Sequence, residues 1–243
     1  MAQRQRQVKP QYTERVIRFW GDAFNDYIGA RVLILNGLLH QGAVLGSTSV
    51  EKYFKTMLAT RGLEVHGHLQ KAHRNSLQAL DKELFAQINS EFLELCQHCY
   101  RLRYSEQLPR GYNIVIASRE FLAELDYTAF LIEARLVRRN ESAGDTRNRL
   151  SRMLATSDMR LCQDNHVVLA QNKEKFIYGA VQTVHELRRI ANGVIVDVAY
   201  PSASIPDDRS FMRAAFVPKD GDERSYNLSH LPVPEVQVGH PSV

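Results

Sequence analysis

Three cysteines, Cys96, Cys99 and Cys162, are all that the 243-residue chain contains. An odd number cannot pair completely, so disulfide stapling is excluded as the organising principle, and reduced thiols are expected. Cys96-Gln97-His98-Cys99 has the spacing of half a zinc site. The second ligand pair that would close a tetrahedron is missing, so neither metal nor cofactor is expected, and both cysteines read as small apolar residues on a helix. The sequence also lacks a glycine-rich phosphate loop, a G-x-S-x-G elbow and an H-E-x-x-H pair, which removes the commonest signatures of nucleotide hydrolysis, acyl transfer and zinc proteolysis. Long apolar runs are lacking too. The longest, Arg31 to Gly46, is interrupted by Asn36, His40 and Gln41 and is too short to cross a bilayer, so no membrane partner is expected. Arg4, Arg6 and Lys9 have no apolar segment behind them, unlike a secretion signal, and a cytoplasmic location is the expectation.

What is present is an ordinary globular composition, 44% hydrophobic and 24% charged, with net charge +4 and pI ≈ 9.0. That balance permits contact with phosphates without requiring it. The apolar residues recur at helical intervals. Val16, Trp20, Phe24, Tyr27, Ile28 and Leu35 line one face of a first helix ending near the turn pair Asn36-Gly37. Ala43, Ser47, Val50, Phe54 and Met57 line a second, with Gly62 placed to adopt the left-handed conformation of a helix stop. A short third helix carries Leu69, Ala72, Leu77 and Leu80. A longer fourth carries Phe85, Ile88, Phe92, Leu95, Cys96, Cys99 and Leu102, and a fifth carries Leu122, Leu125, Ala129, Ile132 and Leu136. Short connections force sequential helices to be neighbours, so the expected fold is mainly α, an antiparallel helical bundle over 13–140.

Beyond Asn140 the texture changes. Glu141 to Asp145 reads as a linker, and a basic helix is expected from Thr146 to Arg160. Branched runs at His166–Leu169, Gly193–Tyr200 and Phe211–Val217 read as strands. Ala180, Val181, Val184, Leu187 and Ile190 suggest one more helix. Residues 146–217 are therefore expected to form a small mixed α/β C-terminal extension. Residues 218–243, polar and punctuated by Pro232, Pro234 and Pro241, read as a flexible tail.

Several side chains have the chemistry to hold phosphate. Glu51 and Lys55 lie four apart with Lys52 beside them, which fits either a ligand-facing group or an i,i+4 ion pair on a solvated face. Tyr100-Arg101-Leu102-Arg103-Tyr104 interleaves arginine with aromatic rings, as a base-stacking and phosphate-binding segment would, or as a helix end whose dipole the arginines compensate. Arg135, Arg138, Arg139, Arg147, Arg149 and Arg152 are opposed locally by only Glu133, Glu141 and Asp145. A solvated helix face is the preferred reading of that run, with nucleic-acid contact as its alternative.

The run Ser49-Val50-Glu51-Lys52-Tyr53-Phe54-Lys55-Thr56-Met57-Leu58, then Gly62, then His66 and His68-Leu69, resembles the HEPN family of prokaryotic helical bundles over about residues 20–140. The resemblance implies a partner class of RNA or nucleotides, a homodimer, and a nucleotidyltransferase, toxin–antitoxin or defence-system protein as companion. Catalytic HEPN members resemble one another in an arginine followed after four to six residues by a histidine. Arginine stabilises charge on the phosphate while histidine handles a proton. Arg61 with His66 and Arg160 with His166 have this spacing. The first straddles a predicted helix stop and the second lies beyond the bundle, while no histidine follows Arg101 and Arg103. The expectation is therefore a binding and interaction module without catalysis, using Glu51, Lys52, Lys55, Arg101, Arg103 and Tyr104. The alternatives are a metal-independent endoribonuclease using either pair and a structural subunit of a larger assembly.

Overall fold

The computed structural model describes residues 10–64, 67–69, 71–109, 112–136, 149–189 and 195–202. The expected linker at 141–145, the strand at 211–217, the tail from 218 and His66 lie outside these residues. The chain is mainly helical with one small antiparallel sheet.

Helix α1 (Pro10–Leu35) and helix α2 (Leu39–Ala59) form the longest packed pair. Both end as their glycines dictate. Gly37 and Gly62 adopt φ of 83° and 72°, and each allows paired 6→1 and 5→2 backbone bonds: Leu38 to Leu33 with Gly37 to Ile34, and Leu63 to Leu58 with Gly62 to Ala59. Gly62 also lies against the Tyr12 ring, which a Cβ would meet at 2.4 Å. Between the helices Gly42 removes bulk: a Cβ there would lie 2.4 Å from Ile34 Cγ1 and 3.0 Å from the Ala30 carbonyl. The helices can therefore approach closely, and Tyr27, Tyr53 and Phe54 are fully buried beside Phe92 and Phe121.

Helix α3 (Lys71–Leu80) carries Ala72, Leu77 and Leu80 as expected, whereas Leu69 lies before it with a left-handed φ of 41°. The expected fourth helix is instead two, α4 (Lys82–Gln87) and α5 (Ser90–Arg101). Ile88 is extended, and the Asn89 side chain caps α5 by accepting from the Glu91 and Phe92 amides. Helix capping at Asn89 thus overrides an apolar spacing that runs unbroken through the junction. After a 3-10 turn (Leu102–Gln107) the chain forms strand β1 (Asn113–Ala117), an element that helical spacing did not anticipate, and turns directly into α6 (Ser118–Arg135).

Past the bundle, the basic helix is shorter than expected. Helix α7 (Arg149–Ala155) stops where Ser157 takes a left-handed φ of 50°, and Asp158 caps α8 (Met159–Cys162). His166–Leu169 is not a strand. The Asn165 carboxamide oxygen accepts from the Val167 and Val168 amides and its carbonyl from Leu169, winding the segment into turns. Helix α9 (Lys173–Tyr178) precedes the principal correction. The segment expected to be a helix around Val184 and Leu187 is strand β2 (Gln182–Arg189), the centre of the sheet order β1-β2-β3, with β3 at Ile195–Ser202. Ile116 pairs with His185, and Glu186 with Val198. Pairing on both edges outweighs the three-residue spacing of its apolar side chains, because strand preference depends on neighbours more than on the local chain. The sheet joins β1, inside the expected bundle, to two strands from 182 onward.

Candidate functional site

Thr48, Glu51 and Lys55 are three and four residues apart and so occupy one face of α2. The Glu51 carboxylate is only 6% exposed and makes two contacts, accepting from Lys55 Nζ at 2.6 Å and lying 3.0 Å from His68 Nδ1. A carboxylate only accepts, so Nδ1 carries a proton and the imidazole is held in one orientation. On the other side of His68, the Tyr100 hydroxyl approaches Nε2 to 2.6 Å. The two rings are stacked, with centroids 3.8 Å apart and planes inclined by 21°. The Arg103 guanidinium lies 4.9 Å from the Tyr100 ring centre and donates from Nη2 to Thr48 Oγ1 at 2.9 Å. The contacts therefore run from α2 through the α2–α3 loop to α5 and its 3-10 turn, then return to α2.

Of the residues singled out in the sequence, Glu51, Lys55 and Arg103 come together. Lys52 points to α1 instead, with its Nζ 2.7 Å from Asp26 Oδ2. Arg101 is exposed at the end of α5, where its charge adds to burial in lowering the pKa of His98. Tyr104 is 47% exposed and kinks the 3-10 turn with φ −126° and ψ 63°. Sequence reasoning passed over His68, assigning it only to a helix start; its place in the same run as Glu51 was the available signal.

The arginine–histidine pairs fare differently. Arg61 is exposed beyond α2, and its partner His66 is outside the described residues. Arg160 forks onto Asp158 at 3.0 and 2.6 Å with 61% of its side chain exposed, and that pairing lowers the Asp158 pKa. His166 is 4% exposed and packs 5.6 Å from the Phe176 ring. Its pKa is lowered by burial and then by Lys173. The two side chains share no partner among the described residues. Within the arginine run, Arg135 lies 3.7 Å from both Asp81 and Glu83, and Arg149 donates to the Gly21 carbonyl and Asn25. Arg152 is exposed, and Arg138, Arg139 and Arg147 are outside the described residues.

A second polar group is wholly interior and was not anticipated. Arg31 is fully buried and pairs with the equally buried Asp126. Its guanidinium also donates to the backbone carbonyls of Arg160 and Gln163. Tyr27 donates to Asp126 at 2.7 Å and accepts from Asn165. Nearby, Trp20 and Tyr53 both donate to Glu133 Oε1 at 2.8 Å. Burial pushes the Asp126 carboxyl up to about 6 against the opposing pull of Arg31.

Among the described residues no group of three or more His, Cys, Asp or Glu is placed to hold a metal ion. Cys96 and Cys99 are buried and their thiols are pushed up by desolvation, as befits packing rather than reactivity. No helix among the described residues is long and apolar enough to cross a membrane. No protein-family model, curated protein or solved structure matches the chain.

Proposed function

We propose that the chain is a cytoplasmic, HEPN-like module that binds a nucleotide or single-stranded RNA without cutting it, through the surface formed by Lys55, His68, Tyr100 and Arg103. The observation that carries this reading is the convergence of two cations, 48 positions apart in sequence, around a partly exposed aromatic pair. Lys55 has three N–H donors and uses one on Glu51; Arg103 has five and uses one on Thr48. The remaining donors are suited to phosphate oxygens. Arg160 is engaged by Asp158 while His166 is interior, an arrangement that favours binding over cleavage through that pair. The sequence resemblance alone supports the homodimer and the nucleotidyltransferase or defence-system companion.

The test is fluorescence anisotropy of a labelled single-stranded RNA with the full chain over a salt series. Phosphate contacts make log K fall linearly with log salt, by about 0.7 per contact on a single strand. The double substitution Lys55→Ala/Arg103→Ala should weaken binding and flatten that slope by about 1 to 1.5. Binding that is absent at low salt, or indifferent to the double substitution, overturns the reading.

A further inference from the structure

The interleaved arginines and tyrosines of 100–104 suggest tyrosine as the ring on which a base would stack, yet the geometry does not leave Tyr100 available. His68 covers one of its faces at 3.8 Å. The Arg103 guanidinium lies over the same ring, 4.9 Å from its centre. Arg103, Tyr100 and His68 thus form a ladder of contacts through the Tyr100 ring.

The open end of this ladder is His68. One face lies on Tyr100 and Nδ1 is held by Glu51, yet 49% of its side chain remains exposed. Among the described residues no second ring or cation lies over it. Glu51, itself fastened by Lys55, fixes the plane of the ring, so little rotational freedom is left to lose on stacking. The two cations bracket it: Lys55 is joined to it through Glu51 and Arg103 through Tyr100.

Resting on the binding reading above, we infer that His68 is the base platform: an unpaired nucleobase stacks on its outer face while Lys55 and Arg103 contact the adjoining phosphate. The ligand class is accordingly a single strand with accessible bases, since the bases of a duplex already have both faces covered. A base stacked on an aromatic side chain contributes ~1–3 kcal/mol by alanine substitution, or roughly 5- to 150-fold in affinity.

The experiment uses the full chain with three labelled probes of equal length: a single-stranded RNA, an abasic ribose-phosphate strand and an RNA duplex. The parent should prefer the base-bearing strand over the abasic one by about tenfold. His68→Ala should reduce that preference, read as the ratio of the two affinities measured on the same variant, to within about twofold. His68→Phe gives up the Glu51 contact but keeps a flat face, and should retain most of the preference; this separates stacking from a loss of structure, which thermal melts of both variants also check. A nucleoside monophosphate should compete with the strand more effectively than ribose 5-phosphate. The inference is overturned if His68→Ala keeps the tenfold preference, if Tyr104→Ala abolishes it, if the duplex binds best, or if the two competitors act equally. Salt-dependent binding without discrimination between base-bearing and abasic strands sinks this inference and leaves the binding reading standing; no binding at low salt sinks both.

Discussion

Two polar networks built from similar residues differ in where they put their spare hydrogen-bonding capacity. In the interior, Arg31, Asp126, Tyr27 and Asn165 hold one another and the backbone of 160–163. The guanidinium serves a carboxylate and two carbonyls, and all four residues are 0% exposed. At the surface, exposed Arg103 satisfies one neighbour and keeps further donors, while Lys55, with 19% of its side chain exposed, gives one donor to Glu51. The first network can do nothing except hold elements together. The second holds α2, its loop and α5 together and retains cationic donors for an incoming anion. Burial, rather than residue type, confines the first to structure and leaves the second open to the binding role proposed above.

The largest effect that could break this comparison is expected inside. Asp126→Ala leaves a buried guanidinium without its counter-charge and should cost ~3–5 kcal/mol of stability, read as a fall in denaturant midpoint. A loss below about 1 kcal/mol, the scale of exposed pairs, would erase the distinction. Next comes packing beside the network: Gly42→Val drives a side chain into Ile34 and the Ala30 carbonyl and should cost ~1–3 kcal/mol, whereas an unchanged melting temperature would show that α1 and α2 can separate freely.

A third, smaller effect is in pH. The ordinary Asp pKa is about 3.9, and the folded-state value of Asp126 is pushed up to about 6. A raised carboxyl means that the folded chain takes up the proton first. Its contribution is therefore fully present below about pH 3.9 and lost as pH rises through about 6. The stability of the parent relative to Asp126→Asn should accordingly grow as pH falls from 7 to 4; a parent that loses ground on acidification would show that Arg31 dominates burial. The smallest stability effect belongs to the surface network. Arg103→Ala should change stability by no more than ~0.5 kcal/mol while lowering RNA affinity at low salt. A large destabilisation without any change in binding would make this surface a fastening like the interior one.

What was legible in the sequence is what the local chain decides. The ends of α1 and α2 follow from Asn36-Gly37 and Gly62, because only glycine takes those left-handed angles at little cost. The helix read from Leu122, Leu125, Ala129 and Ile132 is present as α6, although burial there takes in all of 120–126 rather than one stripe, and β3 overlaps the expected Gly193–Tyr200 strand. Misreadings occur where distant residues decide. Strand β2 has apolar side chains at helical spacing, yet its conformation is fixed by β1, some 65 positions earlier, and by β3. Asn89 is the exception, a local cap on the Glu91 and Phe92 amides that the unbroken apolar spacing obscured. Arg31 stood unremarked at the head of an apolar stretch because nothing local announces Asp126 or the carbonyls of 160 and 163. At the site, Glu51, Lys55 and Arg103 could be picked out by type, but the ring that links them, His68, required the loop's path in space.

The sheet and the Arg31 clamp also govern the order in which the chain can fold. Strand β1 is synthesised well before the strand it pairs with, and Arg31 precedes the carbonyls it holds by about 130 residues. Contacts of such sequence separation carry a loop-closure cost that local helix pairs avoid, and they slow folding. The α1–α2 hairpin, joined by three residues, is thus expected to assemble early, with Arg31 awaiting its two carbonyls until the chain has reached 163 and β1 its partner strand until 189. Asp126 is reached first and supplies the counter-charge, so until 160–163 and β2 emerge it is the remaining donors of the guanidinium and the open edge of β1 that await their partners.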